Sequence, residues 1–210
     1  MNRLDRRELA LIVGATLVNA SLAGALLLLA GSDSAATELA LRTTARVSFV
    51  WFMLAFIASP LQQLRPSRVS AWLSSRRRAL GVIFGFSMSI HVGFILRLYA
   101  LHAPARPPMV TEADFLIGIP GLVMVALLTI TSVEAIKQRL GPIVWQRLHT
   151  IGIWVVWAIF FLCLVDSVGR KTTAHPVLAY HTFIAVLLLG MGLRLIAARR
   201  RSAAATPSGT

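Results

Sequence analysis

Apolar residues in this chain are not spread in alternation or in one-faced stripes; they gather into six long runs separated by short clusters of charge and proline. The runs are Leu9 to Ala30, Val47 to Leu61, Ala79 to Leu101, Phe115 to Val133, Ile143 to Val165 and Pro176 to Ala198. A hydrocarbon core of about 30 Å is crossed by about 20 helical residues rising about 1.5 Å each, so each run is read as a membrane span. The first follows Arg3, Arg6 and Arg7, as a signal peptide would, but its 22 residues exceed the roughly 7 to 15 of a cleavable apolar segment. It is therefore read as a retained helix. Pro60 and the polar stretch from Gln62 to Arg78 end the second span, and Pro104, Pro107 and Pro108 follow the third. The pattern predicts an all-α polytopic membrane protein: one domain over residues 1–210, folded as a six-transmembrane-helix bundle.

Composition agrees with this. Of 210 residues, 57% are hydrophobic and 14% charged, against about 25% charged in an ordinary soluble domain. A soluble globular fold is excluded, and the segments between spans leave no room for a catalytic domain outside the bilayer. The net charge of +13 comes from 21 Lys and Arg against 8 Asp and Glu. With both termini cytoplasmic, 15 of those 21 fall on the inner side: Arg3, Arg6, Arg7, Arg65, Arg68, Arg76, Arg77, Arg78, Lys137, Arg139, Arg147, Arg194, Arg199, Arg200 and Arg201. Short Lys- and Arg-rich loops stay inside, so the charge reads as a topological signal and an attraction to anionic lipid, with no nucleic-acid partner required. The lone Cys163 lies within an apolar run and supplies no disulfide framework.

Ionisable groups at bilayer depth are costly and mark functional positions. His91 stands mid-span in the third run, where neither end allows its ring to reach water. His149 lies six residues into the fifth run and His181 five into the sixth, while His102 and His175 fall in outer loops. Each intramembrane histidine also has a plain reading as a neutral ring hydrogen-bonded to a neighbouring helix. Arg97 is read either as a counter-charge to an anionic cofactor group or as a partner of Asp166. Cys163 is read as a small buried hydrophobe, and Gly81 with Gly85 as a helix-packing pattern. No nucleophile with its base, carboxylate pair or Gly-rich phosphate loop is present, which argues against hydrolytic and nucleotide-dependent chemistry. Histidines inside a helical bundle suit axial haem ligation.

Two stretches carry a more specific signal. Arg77-Arg78-Ala79-Leu80-Gly81 opens the third span and leads to His91, and Leu128-Thr129-Ile130-Thr131-Ser132 closes the fourth. Arg139-Leu140-Gly141 and Trp145-Gln146-Arg147-Leu148-His149 follow. From about Arg76 to Val165 the chain resembles the ferric-reductase-like transmembrane domain family. Within it, the chain is similar to the haem-binding membrane subunits that serve bacterial periplasmic methionine sulfoxide reductases. The resemblance implies a bacterial inner-membrane, cytochrome-b-like electron-transfer subunit. A haem b would lie between the third and fifth spans, with Arg97 near a propionate, and electrons would pass from a quinol or cytoplasmic-side donor to an outer-side acceptor such as a periplasmic oxidoreductase. A flavin or quinone is an alternative redox partner, and Arg77, Arg78 and Arg147 would stand at the inner surface to meet an anionic cofactor or a donor protein. Any enzymatic role would be as one subunit of such a chain.

His91 and His149 match family histidines. A further family histidine, thirteen residues after the fifth-span one, is Leu162 here, and its loss removes an axial ligand expected to face His91. Depth counting puts His149 about 9 Å and His181 about 7 Å from the level of His91 at 1.5 Å per residue. Three arrangements stay open at this point: haem held by His91 and His181, haem held by His91 with a weak or absent sixth ligand, and a haem-free scaffold or assembly subunit of the same fold.

Overall fold

The structure is a computed structural model that describes residues 6–31, 33–103, 112–169 and 177–205. These residues form seven helices and no strand: α1 (Arg6–Ala30), α2 (Ser34–Leu64), α3 (Arg68–Ser75), α4 (Arg77–His102), α5 (Glu112–Ile130), α6 (Glu134–Gly169) and α7 (Val177–Ala205). Five of them, α1, α2, α4, α6 and α7, are long and apolar enough to cross a membrane, and a shorter apolar helix, Leu116–Ile130, occupies the fourth expected span. The protein is thus an all-α, multi-pass membrane protein.

The largest departure from expectation is α2. Hydropathy starts this span at Val47, but the helix begins at Ser34 because Asp33 caps it, its carboxylate accepting the Ala36 N–H at 2.9 Å. Glu38, Arg42 and Arg46 depress the hydropathy of this added stretch without opposing helix, and Arg42 pairs with Glu38 one turn away at 3.3 Å. Pro60 does not end the helix either, which continues to Leu64. A proline inside a helix leaves the carbonyl four residues back without its N–H. Here that carbonyl, of Phe56, accepts from Arg194 Nε of α7 at 2.9 Å.

The polar stretch expected after the second span holds the short helix α3, closed by a Ser67/Ser70 capping box. At the other break, α6 starts at Glu134 and is interrupted at Gly141, whose φ of +74° is open to glycine at little cost, before Pro142 restarts it. The apolar run that starts at Ile143 therefore follows the break within α6.

α2 forms the centre of the bundle. Its Phe49, Phe52, Met53 and Phe56 pack with Phe84 of α4, Val125 of α5, Val156 of α6 and Leu187 of α7 in one buried cluster. Its most extensive partner is α4, which runs antiparallel to it. Gly85 sets the approach of α4 to α5, since a Cβ there would overlap the Thr129 side chain; a Cβ at Gly81 would meet nothing, so only one glycine of the expected pair is used for packing. α4 and α6 share no extended contact among the described residues. They meet through aromatic rings, Phe84 and Phe160 lying 6.1 Å apart.

Candidate functional site

Antiparallel pairing of α2 and α4 aligns hydroxyls of one helix with the polar residues of the other. Ser59 Oγ accepts from Arg77 Nη1 at 3.0 Å, Ser48 and Ser87 hydroxyls meet at 2.8 Å, Thr44 Oγ1 meets His91 Nδ1 at 3.1 Å, and Thr37 Oγ1 accepts from Arg97 Nε at 3.2 Å. The sums of the paired numbers stay between 134 and 136, so this is one register along the whole seam. Thr37, Thr44, Ser48 and Ser87 are all buried. A seam of this kind can hold charged or ionisable side chains at depth, because each has a partner waiting on the facing helix.

His91 is the centre of the seam. Its Nδ1 also lies 3.2 Å from the Leu41 carbonyl, which can only accept, so Nδ1 carries the proton. The Thr44 hydroxyl agrees, since its own hydrogen goes to the Ala40 carbonyl at 2.9 Å and a lone pair remains to face the ring. That tautomer leaves the Nε2 lone pair uncommitted, with no hydrogen-bond partner among the described residues. An imidazole held at one nitrogen by a backbone carbonyl, with the other nitrogen free, is the usual arrangement of a metal-ligating histidine.

His149 is placed differently. Its Nε2 lies 3.1 Å from Thr131 Oγ1, whose hydrogen is donated to Leu127 O at 2.6 Å, so here Nε2 carries the proton. Trp145 packs on the ring at 4.3 Å between centroids and donates its Nε1–H to the Thr131 carbonyl at 2.9 Å. Arg78 of α4 completes the group: Nη2 and Nε donate to Ser132 O at 2.6 and 3.1 Å, and Nη1 pairs with Glu134 at 3.3 Å. The residues that form the distinctive motifs of the sequence thus converge on the carbonyls of Thr131 and Ser132, in the turn that follows α5. They form a cap between three helices.

The remaining expected site residues lie apart. His181 is exposed, four residues into α7, and Leu162 is 48% exposed. At 100° per residue, Leu162 falls on the face of α6 opposite the one that carries Val156, Trp157, Phe160 and Phe161 into the core. Cys163 is half-buried, Arg147 is exposed on α6, and His102 closes α4 with Nδ1 3.0 Å from the Leu98 carbonyl. His175 lies outside the described residues. No three His, Cys, Asp or Glu side chains converge among the described residues. Among the described residues, His91 is the imidazole that would suit a haem iron, held at Nδ1 with Nε2 unengaged.

Sequence reading missed Thr44 and the Leu41 carbonyl, both on the part of α2 assigned to a loop. The available signal was the spacing of Thr37, Thr44 and Ser48, which places three hydroxyls on one helical face. It also missed Arg194, whose guanidinium carbon sits 4.3 Å from the Phe56 ring centroid and 5.8 Å from that of Trp154.

A family model described as Ferric reductase like transmembrane component matches residues 44–163, a stretch that begins at Thr44 and contains both His91 and His149. No curated protein and no solved structure matches the chain.

Proposed function

This chain belongs to the ferric reductase like transmembrane component family, and on that premise we propose that it is a transmembrane electron-transfer subunit that holds a b-type haem through His91. The single observation behind the haem reading is the orientation of that ring, fixed at Nδ1 by Leu41 and Thr44 with Nε2 left free. Bound there, haem would supply a one-electron couple within the bilayer. The chain's own residues fix the imidazole, and Arg97 stands six residues further along the same helix, its Nε donating to Thr37, where its charge would offset a propionate. The donor is a quinol, a flavin or a cytoplasmic-side protein, and the acceptor is an outer-side oxidoreductase, in a bacterial inner membrane with both termini cytoplasmic. Substrate chemistry belongs to that partner.

One observation favours a second reading, a haem-free scaffold: Phe160 lies 5.2 Å from Phe52 and 6.1 Å from Phe84, so rings fill part of the space between α4 and α6. A reduced-minus-oxidised absorption spectrum of the purified protein, with pyridine haemochrome quantification, separates the two. A b-type spectrum at about one haem per chain is expected. Absence of haem in material expressed with ample haem supply overturns the proposal in favour of the scaffold.

A further inference from the structure

α2 and α7 pack side by side in parallel. Gly190 lies against Met53, Arg194 reaches the Phe56 carbonyl, and the seam ends in an open cavity of about 370 Å³ lined by Gln63, Leu64, Ala197, Arg200 and Arg201. The Met53–Gly190 and Phe56–Arg194 contacts are offset by 137 and 138 residues, so the two helices run the same way toward the cavity. Its wall is divided. Leu64 and Ala197 are apolar, while two guanidiniums and a carboxamide supply donors at the end of the span. Neither arginine has an ion pair or hydrogen bond among the described residues. Glu38 and Glu134 are held by other cations, Arg42 in one case and Arg78 with Lys137 in the other.

We propose that this cavity binds the phosphate of an acidic phospholipid, with Arg200, Arg201 and Gln63 holding the headgroup and the apolar wall of Leu64 and Ala197 meeting the start of the acyl chains. Charge complementarity selects the occupant. Two unpaired guanidiniums at a helix end sit at headgroup level, where anionic lipid is the concentrated phosphate source, and basic pockets between membrane helices recognise such headgroups. Arginine also presents paired donors to phosphate oxygens. The neighbouring α3 is consistent with a surface at this level, with Val69 and Trp72 exposed beside Arg68.

The test is native mass spectrometry of the full chain, released from detergent after titration with phosphatidylglycerol or phosphatidylcholine. The wild-type chain should retain phosphatidylglycerol selectively. The pair R200Q/R201Q should lower that retention roughly tenfold to thirtyfold, and Gln63→Ala, which keeps every charge, should lower it by a smaller factor. Arg199→Gln removes an exposed charge outside the cavity and should leave retention near the wild-type value. Equal retention by R200Q/R201Q, or an equal loss on Arg199→Gln, overturns the site in favour of general charge attraction. Displacement of the lipid by millimolar inorganic phosphate overturns it in favour of a soluble anion. The outcome is independent of haem content, so it stands or falls apart from the electron-transfer reading.

Discussion

His91 and His149 are the same residue type, both inside apolar helices and both beside a threonine hydroxyl, yet they are held by opposite ring nitrogens. At His91 the Nδ1 proton is given to α2, and Nε2 is left without a hydrogen-bond partner among the described residues. At His149 the Nε2 proton is given to Thr131, within a group that caps the end of α5. The difference lies in the partner helices and not in the histidines. A threonine whose own hydrogen is already donated backward to its helix presents only a lone pair, so it dictates which nitrogen of a facing imidazole must carry the proton. On the proposed reading, one histidine is thereby prepared as a ligand, the other as a structural donor.

The largest effect should come from removing each ring in turn. His91→Ala should abolish haem binding, a loss beyond the roughly 10- to 100-fold that supporting residues contribute to metal sites. His149→Ala should keep haem at the wild-type ratio while lowering stability. Pyridine haemochrome assays of the two variants measure this directly. Haem lost equally in both would break the distinction between ligand and cap.

Next in size is the cap itself. Arg78→Met leaves the Ser132 carbonyl without its partner and Glu134 with only Lys137 and Gln138, and losing hydrogen bonds to a charged group costs about 2–3 kcal/mol. Denaturation in mixed micelles should show a loss of that order, with haem content unchanged in the folded fraction. A smaller effect is expected from Thr131→Val, which removes one acceptor and should cost about 1 kcal/mol. Thr44→Val should cost no more, because Leu41 O still accepts from His91; a loss of haem on this substitution would mean that the hydroxyl, and not the carbonyl, orients the ring.

Much of this was legible in the sequence. The apolar runs fall on five helices long and apolar enough to cross a membrane and on a shorter apolar helix, and the depth of His91 singled it out. What escaped detection was everything that depends on a second helix. Residues Ser34 to Arg46 look like a loop because hydropathy counts Glu38, Arg42 and Arg46 against a span, although Asp33 had the character of an N-cap. Pro60 looks like a stop because its missing hydrogen bond is supplied from a helix 138 residues away in sequence. The resemblance implies a family histidine at His149, yet no spacing rule says which of its nitrogens will meet Thr131. Leu162 carries the same lesson. The resemblance implies a ligand at this position, but its face of α6 is set by where Val156 and Phe160 pack.

The smallest effect tests whether the seam around His91 is held together by its hydroxyl pairs or by its packing. Ser48 and Ser87 are wholly buried and 2.8 Å apart, directly beside the His91 level. In water-soluble cores, orphaning one member of such a pair costs about 1–3 kcal/mol. Within a membrane, measured side-chain pairs average nearer 0.6 kcal/mol, because a hydroxyl can turn to its own helix when its partner is absent. This bundle shows that alternative directly: Ser89 donates to the Gly85 carbonyl at 3.1 Å and Ser132 to the Leu128 carbonyl at 2.7 Å, each four residues back. Ser48→Ala and Ser87→Ala should therefore each cost about 0.5–1 kcal/mol, and the double variant little more than either, giving a coupling of about 0.6 kcal/mol in a double-mutant cycle. Unfolding titrations of the four proteins in mixed micelles supply the numbers. A coupling well above about 1.7 kcal/mol, the upper end seen for such pairs, would mean that the hydroxyls and not the flanking Ala40, Phe52 and Phe84 contacts fix the register that positions His91.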